Sequence, residues 1–166
     1  MVAVVGGAVA GPEAERVAEA VGDAAARMGA VVLTGGRGGV MAAASRGARQ
    51  ARGEEGSGPP VVALLPGTDR AQANPWAELV LPTGLGNARN ALIVAGADVV
   101  VAIGGGPGTL SEIGLARKEG RPVIVVAGTG GVADRGAALL PEDPGLHVVV
   151  GAAEAIALLA RLLPRR

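Results

Sequence analysis

Residues 98–119 read DVVVAIGGGPGTLSEIGLARKE, which joins a short aliphatic run to a glycine-rich turn and then to a helical segment. The run Asp98–Ile103 is continuously apolar after its first residue and rich in β-branched side chains, which is typical of a parallel strand covered on both faces. The segment Thr109–Glu119 is predicted to be a helix that stops at Gly120. The stretch therefore predicts a strand–turn–helix unit.

Similar units recur along the chain and decide the fold class. Further strands are predicted at Val2–Val5, Val31–Leu33, Val61–Leu65, Val123–Val126 and His147–Val150. Further helices are predicted at Pro12–Met28, Val40–Ala51, Asn87–Ala95 and Ala152–Leu163. This alternation predicts an α/β, Rossmann-like, doubly wound domain with a mainly parallel sheet, and the length of 166 residues suits one domain over residues 1–166. The long connector Ala127–Leu146 is expected to be a lid or a mobile flap.

Composition excludes several classes of function. Fifteen basic residues balance fifteen acidic ones, so no overall field attracts nucleic acid or an anionic membrane, and neither is expected as a partner. The absence of cysteine excludes disulfides, thiolate metal sites and cysteine nucleophiles, and the single histidine, His147, excludes a histidine-rich metal site within one chain. No metal site is therefore expected. Because no apolar run approaches the roughly 18 residues of a membrane span and no basic leader is visible, a cytoplasmic location is expected.

Two glycine clusters lie between a predicted strand and a predicted helix, where open α/β sheets bind their ligands. Glycine permits a positive φ and close approach of an anion, and the helix that follows presents unpaired N–H groups. A phosphate site is therefore predicted at Gly35, Gly36, Arg37, Gly38, Gly39, Gly105, Gly106, Gly108 and Thr109. Neither cluster is a Walker A loop, and the first turn, Gly6–Gly11, lacks the acidic partner of a dinucleotide fingerprint, so a redox cofactor is not expected.

Three motifs together resemble the Lonely Guy / molybdenum-cofactor-carrier superfamily, whose members are often labelled as lysine decarboxylases. They are TGGRGGVM at 34–41, GNARN at 86–90 and GGGPGTLSE at 104–112, and the resemblance extends from Val2 to Val126. It implies a Rossmann-like fold, a small phosphorylated ligand (a nucleotide or a pterin) and a homodimer or homotetramer. No cofactor is implied as a requirement, and molybdenum cofactor is implied as a carried ligand. In the Lonely Guy branch, the activity is hydrolysis of the N-glycosidic bond in cytokinin riboside 5′-monophosphates or AMP.

The motifs differ between the branches of this superfamily. Gly104 stands where the hydrolases have the proline of Pro-Gly-Gly-x-Gly-Thr-x-x-Glu, and Asn90 replaces the lysine of their Arg-Lys pair. Both differences are closer to the carrier branch, although Arg89 and Glu112, the residues that the hydrolases use in catalysis, are present. The resemblance thus implies a ligand-binding protein similar to molybdenum cofactor carriers, with a phosphoribohydrolase as the alternative. Arg89 and Glu112 are the candidate catalytic residues, and Arg89 and Asn90 join the candidate ligand-binding set.

Several of these residues also have structural interpretations. Thr109 and Glu112 have the spacing of a capping box, in which Thr109 caps the helix and Glu112 bonds back to its amide. Arg89 opposes the dipole in the first turn of its predicted helix, which an anionic ligand would explain better than a surface role. Arg37 is either a phosphate ligand or a solvated loop residue. The only lysine, Lys118, lies a helix length from the glycine turn, so pyridoxal-phosphate-dependent lysine decarboxylation is not expected.

The small residues of two predicted helices suggest how copies of the chain associate. Val40–Ala51 and Asn87–Ala95 are both rich in alanine, which lets helices approach one another closely. At least one of them is therefore expected in the interface of a homo-oligomer.

Overall fold

The computed structural model describes residues 1–53, 57–139 and 142–164, and it places seven strands in one sheet. The strands are β1 (Val2–Gly6), β2 (Val32–Thr34), β3 (Val61–Leu65), β4 (Leu79–Pro82), β5 (Val99–Ile103), β6 (Val123–Ala127) and β7 (Leu146–Val150). The helices are α1 (Pro12–Arg27), α2 (Val40–Ala51), α3 (Arg89–Ala95), α4 (Pro107–Lys118), α5 (Gly136–Leu139) and α6 (Gly151–Leu162). Within the same ranges, no helix is both long enough and apolar enough to cross a membrane.

The order of the strands creates a crevice at the centre of the sheet. Every pairing is parallel, and the order is β4-β3-β2-β1-β5-β6-β7. The chain therefore winds outward from β1 in one direction and from β5 in the other. The connections after these two central strands diverge, which is where doubly wound sheets bind ligands. The predicted Rossmann-like α/β fold is confirmed.

Aliphatic strands bury both faces of the sheet, as continuous apolar runs predict. In β5, Val99, Val101 and Ile103 pack in the layer of α1, α2 and α6. Val100 and Ala102 pack in the opposite layer with residues of α3 and α4. Burial on both faces requires an apolar side chain at every position, so the β5 sequence has no polar alternation.

Helices α1 and α2 cross backbone against backbone, which explains their small residues. A Cβ at Gly22 would lie 2.1 Å from the carbonyl oxygen of Ala44, and a Cβ at Gly47 would lie 2.0 Å from that of Glu19. An ion pair of 2.7 Å between Arg46 and Glu19 spans the same crossing. The small residues of α2 are therefore used for packing within the chain, and a role for α2 or α3 in an oligomer interface stays a prediction.

The structure differs from the sequence prediction at one strand, at the starts of two helices and in one connector. The edge strand β4 was not predicted, because its four residues alternate between exposed and half-buried positions and do not form a continuous buried run. Helix α4 begins at Pro107, and α3 begins at Arg89 after a 3₁₀ turn over Gly86–Ala88. The segment expected to be a lid or a flap contains a 3₁₀ turn and α5, although residues 140–141 lie outside the described ranges.

That segment packs against the second glycine loop over its first part. The amides of Val132 and Ala133 donate to the carbonyl oxygens of Gly105 and Gly104, at 3.0 and 3.1 Å. The expectation of a lid is therefore wrong for this part, because hydrogen bonds fix it to the end of β5.

Replacement of Gly22 by alanine tests the helix crossing. We expect Gly22→Ala to lower the free energy of unfolding by about 1–3 kcal/mol, because the added methyl group must push α2 away from α1. Gly114 provides the matched control, since it is also helical and an added Cβ would meet nothing within 4 Å. Gly114→Ala should stabilise the protein by about 0.5–1 kcal/mol in urea unfolding, through backbone entropy. Equal changes of the same sign in both variants would contradict the backbone contact.

Candidate functional site

The two glycine loops lie together at the carboxyl edge of the sheet and need glycine for different reasons. Gly39, at φ 56°, precedes α2, and a Cβ there would lie 2.4 Å from the carbonyl oxygen of Gly7. Gly105, at φ 85°, turns the chain after β5, and a Cβ there would lie 2.2 Å from Oγ1 of Thr109. The first loop is thus packed against the turn after β1, and the second against the first turn of α4.

Two helices present uncapped N-termini at this edge. Neither α2 nor α4 has a side-chain cap or an acidic residue in its first turn. In α1, by contrast, Glu13 and Glu15 occupy the first turn. The positive end of α4 therefore remains available to an anion. At the start of α2, the amide of Val40 already donates to the carbonyl oxygen of Gly7 at 3.1 Å, and the first turn of α1 contains carboxylates of its own.

The proposed capping box is wrong. Because α4 begins at Pro107, its N-cap is Gly106, and no side chain makes a cap hydrogen bond there. Thr109 is the third helical residue, and its buried side chain packs against Gly105. Glu112 therefore lies in the second turn of α4 and needs another explanation.

Arg89 and Glu112 form a buried pair between α3 and α4. Arg89 is 9% exposed and Glu112 is 6% exposed. Nη1 of Arg89 lies 3.7 Å from Oε1 of Glu112, which is too far for a hydrogen bond. Within the described residues, Nε and Nη1 of Arg89 are buried without a hydrogen-bond partner. The pair therefore has electrostatic contact, but the guanidinium keeps donors that another group could fill.

The guanidinium of Arg89 also reaches the first glycine loop. A Cβ at Gly35 would lie 2.4 Å from Nη1, so only the absence of a side chain at Gly35 makes room for the guanidinium. One arginine thus contacts the loop after β2 and faces the carboxylate on α4. The structure therefore brings Arg89, Glu112 and the first glycine loop together, and it places Arg89 in the interior.

Burial controls the charge of this pair. Burial raises the pKa of Glu112 to about 7, and the nearby Arg89 guanidinium opposes that rise. Burial also lowers the pKa of Arg89, with Glu112 opposing the change and the positive charge of Arg37 adding to it. An arginine remains charged in proteins despite such a shift, so Glu112 is the member of the pair that titrates near neutral pH.

Asn90 and Arg37 lie on either side of this pair. Nδ2 of Asn90 donates to Oγ of Ser111 at 2.9 Å and to the carbonyl oxygen of Gly108 at 3.4 Å, so Asn90 joins α3 to the start of α4. Arg37 and Gly38 are exposed at the rim of the first loop. Arg37 is therefore free to move toward a ligand, whereas Asn90 positions the helix end. Direct contact of either residue with a ligand stays a prediction.

Asn74 holds the first glycine loop and was missed in the sequence. Its amide donates to the carbonyl oxygen of Gly36 at 2.8 Å, and its Nδ2 donates to that of Arg37 at 3.2 Å. Its Oδ1 accepts a hydrogen bond from the amide of Trp76 at 3.1 Å. Since Asn74 lies 37 residues from Arg37, no local pattern could reveal the contact.

A cleft of about 340 Å³ opens beside the second glycine loop at the switch point. Gly104–Gly106 forms one wall, and the turn after β1 and residues 129–131 after β6 form the others. Thr129 links two of these walls, because its Oγ1 accepts from the amide of Gly104 at 2.8 Å and donates to the carbonyl oxygen of Val126. The glycines of the first turn could have predicted this wall of the cleft, but they were compared only with the dinucleotide-binding pattern.

Three further observations bear on where a ligand binds. A larger cavity, of about 670 Å³, lies at the amino edge of the sheet beside Met28 and Asp98, away from both glycine loops. Among the described residues, no three His, Cys, Asp or Glu side chains are grouped to hold a metal ion. Lys118 ends α4 and is exposed, at the opposite end of that helix from the glycine loop.

A family model for the SLOG cluster4 family, also described as LDcluster4, matches residues 1–152. The chain belongs to the SLOG cluster4 family. An uncharacterized protein of Archaeoglobus fulgidus is 38% identical to this SLOG cluster4 protein over 133 residues, which cover 76% of this chain and 83% of the relative.

Two solved structures are similar to this SLOG cluster4 protein over nearly their whole length. The molybdenum cofactor binding protein of the phototrophic bacterium Rippkaea orientalis has a TM-score of 0.85 and 32% identity, covering 98% of this chain and 96% of that one. The molybdenum cofactor carrier protein of Chlamydomonas reinhardtii has a TM-score of 0.84 and 32% identity, covering 99% and 98%. The resemblance inferred from the three sequence motifs is confirmed.

The buried carboxyl of Glu112 predicts a pH dependence of stability. Its pKa is about 7 in the folded protein against an ordinary value of 4.5, so the folded state holds the proton more tightly. Stability from this group is complete below the ordinary pKa and is lost as pH rises through the folded value. Between about pH 5 and about pH 8 the loss should be about 2–3 kcal/mol, measured by urea unfolding.

Glu112→Gln isolates this contribution, because glutamine keeps the size of the side chain and does not titrate. The difference in unfolding free energy between the native protein and the variant should change with pH by that amount. Glu119→Gln, at the exposed end of α4, should leave the native pH profile unchanged. Parallel profiles for the native protein and Glu112→Gln would contradict the raised pKa.

Proposed function

We propose that this protein binds a small ligand through a phosphate or similar oxyanion and carries it without chemical change. The observation that supports this most directly is the buried guanidinium of Arg89, whose Nε and Nη1 have no hydrogen-bond partner within the described residues. The guanidinium lies between Gly35 and Glu112, close to the loops that lead into α2 and α4.

Leaving donors of a buried cation unfilled is costly, so the ligand-free arrangement favours an incoming acceptor. A charged buried donor without a partner costs at least about 1–3 kcal/mol, and a bidentate oxyanion satisfies two such donors together. The N-termini of α2 and α4 add N–H groups at the same edge of the sheet. Arginine and helix ends together therefore select an anion, with Arg37 at the rim as a further candidate contact.

The cleft beside Gly104–Gly106 supports a ligand with an uncharged body. Its volume of about 340 Å³ is typical of small-molecule pockets, and small aliphatic residues and glycine backbone line it, including Val9, Ala10 and Ala14. We assign the ligand class as a phosphorylated pterin of the molybdenum-cofactor type, because two proteins of similar structure are named as binding or carrying that cofactor. In this proposal the molybdenum cofactor is cargo, and a nucleotide is the alternative ligand.

Arg89→Met tests the anion site, since methionine keeps much of the side-chain volume without the charge. We expect the variant to bind a nucleoside monophosphate or a phosphorylated pterin about 10- to 150-fold more weakly, the worth of a charge-assisted hydrogen bond. Glu112 then loses its cation and takes up a proton, so the variant should remain folded. Arg161→Ala, on the exposed side of α6, is the matched control in calorimetric titration. Unchanged affinity in Arg89→Met would contradict the proposed site.

A phosphoribohydrolase is the second candidate function, and the pKa of Glu112 favours it. A carboxyl group with a pKa of about 7 beside a cation is suited to acid–base catalysis at neutral pH. If the protein is a hydrolase, Glu112→Gln should reduce release of free base from AMP by about 10²- to 10⁴-fold without loss of AMP binding. If it is a carrier, the native protein should already release base at the background rate. A chromatographic assay of free adenine separates the two outcomes.

We also propose that copies of the chain associate through α3 and α4. Ala91, Leu92 and Ala95 on α3 and Leu110 on α4 are exposed on the two helices that carry Arg89 and Glu112. This small apolar face fits a second copy of the chain, giving a homodimer or, with a second interface, a homotetramer.

Leu92→Glu tests this face by light scattering at tens of micromolar. The variant should lose one level of assembly, from dimer to monomer or from tetramer to dimer, because the added charge cannot be buried between two copies. Leu79→Glu, on the edge strand β4, is the control, since Leu79 is 53% exposed and Leu92 is 46% exposed. A native protein that is monomeric at this concentration would rule out the interface.

A further inference from the structure

Arg89 faces two competing negative partners, the Glu112 carboxylate that the chain supplies and the anion that the proposed function supplies. We propose that Glu112 takes up one proton from solvent when the anion binds, so that Arg89 exchanges the carboxylate for the ligand. This inference rests on the proposed anion site and adds its regulation, because the retention of the ligand then depends on pH.

The geometry leaves the two anions little separation. Nη1 of Arg89 lies 3.7 Å from Oε1 of Glu112, and each side chain is at least nine-tenths buried. An oxyanion that binds Nη1 or Nε therefore comes within a few ångströms of the carboxyl group. Two negative charges around one guanidinium in a dry site repel each other strongly, and the repulsion raises the pKa of the weaker acid.

Within the described residues, the helix and strands that make the main contacts with α4 place no ionisable side chain except Arg89 against Glu112. Helix α4 packs against α3 and against β1, β5 and β6. The three strands contain only aliphatic residues and glycine, and Arg89 is the only ionisable residue of α3. On α4 itself, Arg117 and Lys118 lie in the last turn, more than one turn beyond Glu112, and Glu119 is the C-cap. The positive charge of Arg37 lowers the pKa of Arg89.

Protonation also gives Glu112 a useful role in the complex. The carboxylate accepts one proton and becomes a carboxylic acid, and its O–H can donate a hydrogen bond to the bound oxyanion or to the ligand body. Because burial already raises its pKa to about 7, this proton is gained readily near neutral pH. Arg89 then pairs with the bound anion in place of Glu112, and Arg37 is a further candidate cation at the rim.

The sign of the effect on affinity follows from this exchange. Below about pH 7 Glu112 is already neutral in the free protein, so affinity should be constant. Above that pH the protein must take up one proton from solvent for each anion that it binds, so the affinity for the anion should fall by up to about tenfold per pH unit. Alkaline pH would thus release the ligand.

Inorganic sulfate is the probe for the test, because it stays a dianion across this range and does not titrate itself. Its affinity is measured by calorimetry from about pH 6 to about pH 8.5 at constant ionic strength, in pairs of buffers with different ionisation enthalpies. The native protein should take up close to one proton per sulfate at pH 8.5 and bind sulfate about 30-fold more weakly there than at pH 6. Glu112→Gln should bind sulfate with no proton uptake and little pH dependence, whereas Glu119→Gln should behave as the native protein does.

The outcomes separate this inference from the proposed function. Sulfate binding that depends on Arg89 but shows neither proton uptake nor a change in affinity with pH would overturn the coupling and leave the anion site intact. The same pH dependence in Glu112→Gln as in the native protein would also overturn it. Failure of sulfate and of inorganic phosphate to bind at any pH would overturn the anion site, and the coupling with it.

Discussion

The parallel pairing of β1 with β5 determines where every part of the candidate site lies. The two strands pair along five residues, from Val2 with Val99 to Gly6 with Ile103, so they end side by side. After β1 and β5 the chain continues toward opposite edges of the sheet, so the turns that follow these two strands diverge and leave a space between them. The cleft beside Gly104–Gly106 follows from this divergence. Helix α3 precedes β5 in the chain, so its first residue, Arg89, lies at the carboxyl edge of the sheet, where β5 ends.

Sequence reasoning succeeded where a pattern has a local cause and failed where the cause lies elsewhere in the chain. The aliphatic runs of β1, β5 and β6 need burial on both faces, so they predicted a parallel sheet and the positions of the glycine loops. The capping box failed because Pro107 starts α4 two residues before Thr109. The contact of Asn74 with the first glycine loop and the room that Gly35 leaves for Arg89 depend on distant segments, and neither has a local signature.

The scarcity of aromatic residues is balanced by close approach of backbones. The chain has no phenylalanine or tyrosine and a single tryptophan, so its core is filled by valine, isoleucine, leucine and alanine. Small residues bury little area each, and α1 and α2 compensate by crossing with Gly22 and Gly47 at the contact. The small residues of α2 are therefore buried against α1. The apolar face of α3 and α4, beside Arg89 and Glu112, stays exposed, and it is the face through which we propose contact with another copy.

In our proposal, the charge of the Arg89–Glu112 pair separates carrying a ligand from cleaving it. Retaining a buried carboxyl group and a cation with unfilled donors lowers stability, and such costs are concentrated at functional sites. If a bound anion keeps Glu112 protonated, the carboxyl group cannot accept a proton from water in the complex, so it cannot act as a general base there. It can still donate a hydrogen bond and hold the ligand. Proton uptake on binding would therefore block the route in which Glu112 activates water and leave only general-acid catalysis, which supports our proposal of a carrier over a hydrolase.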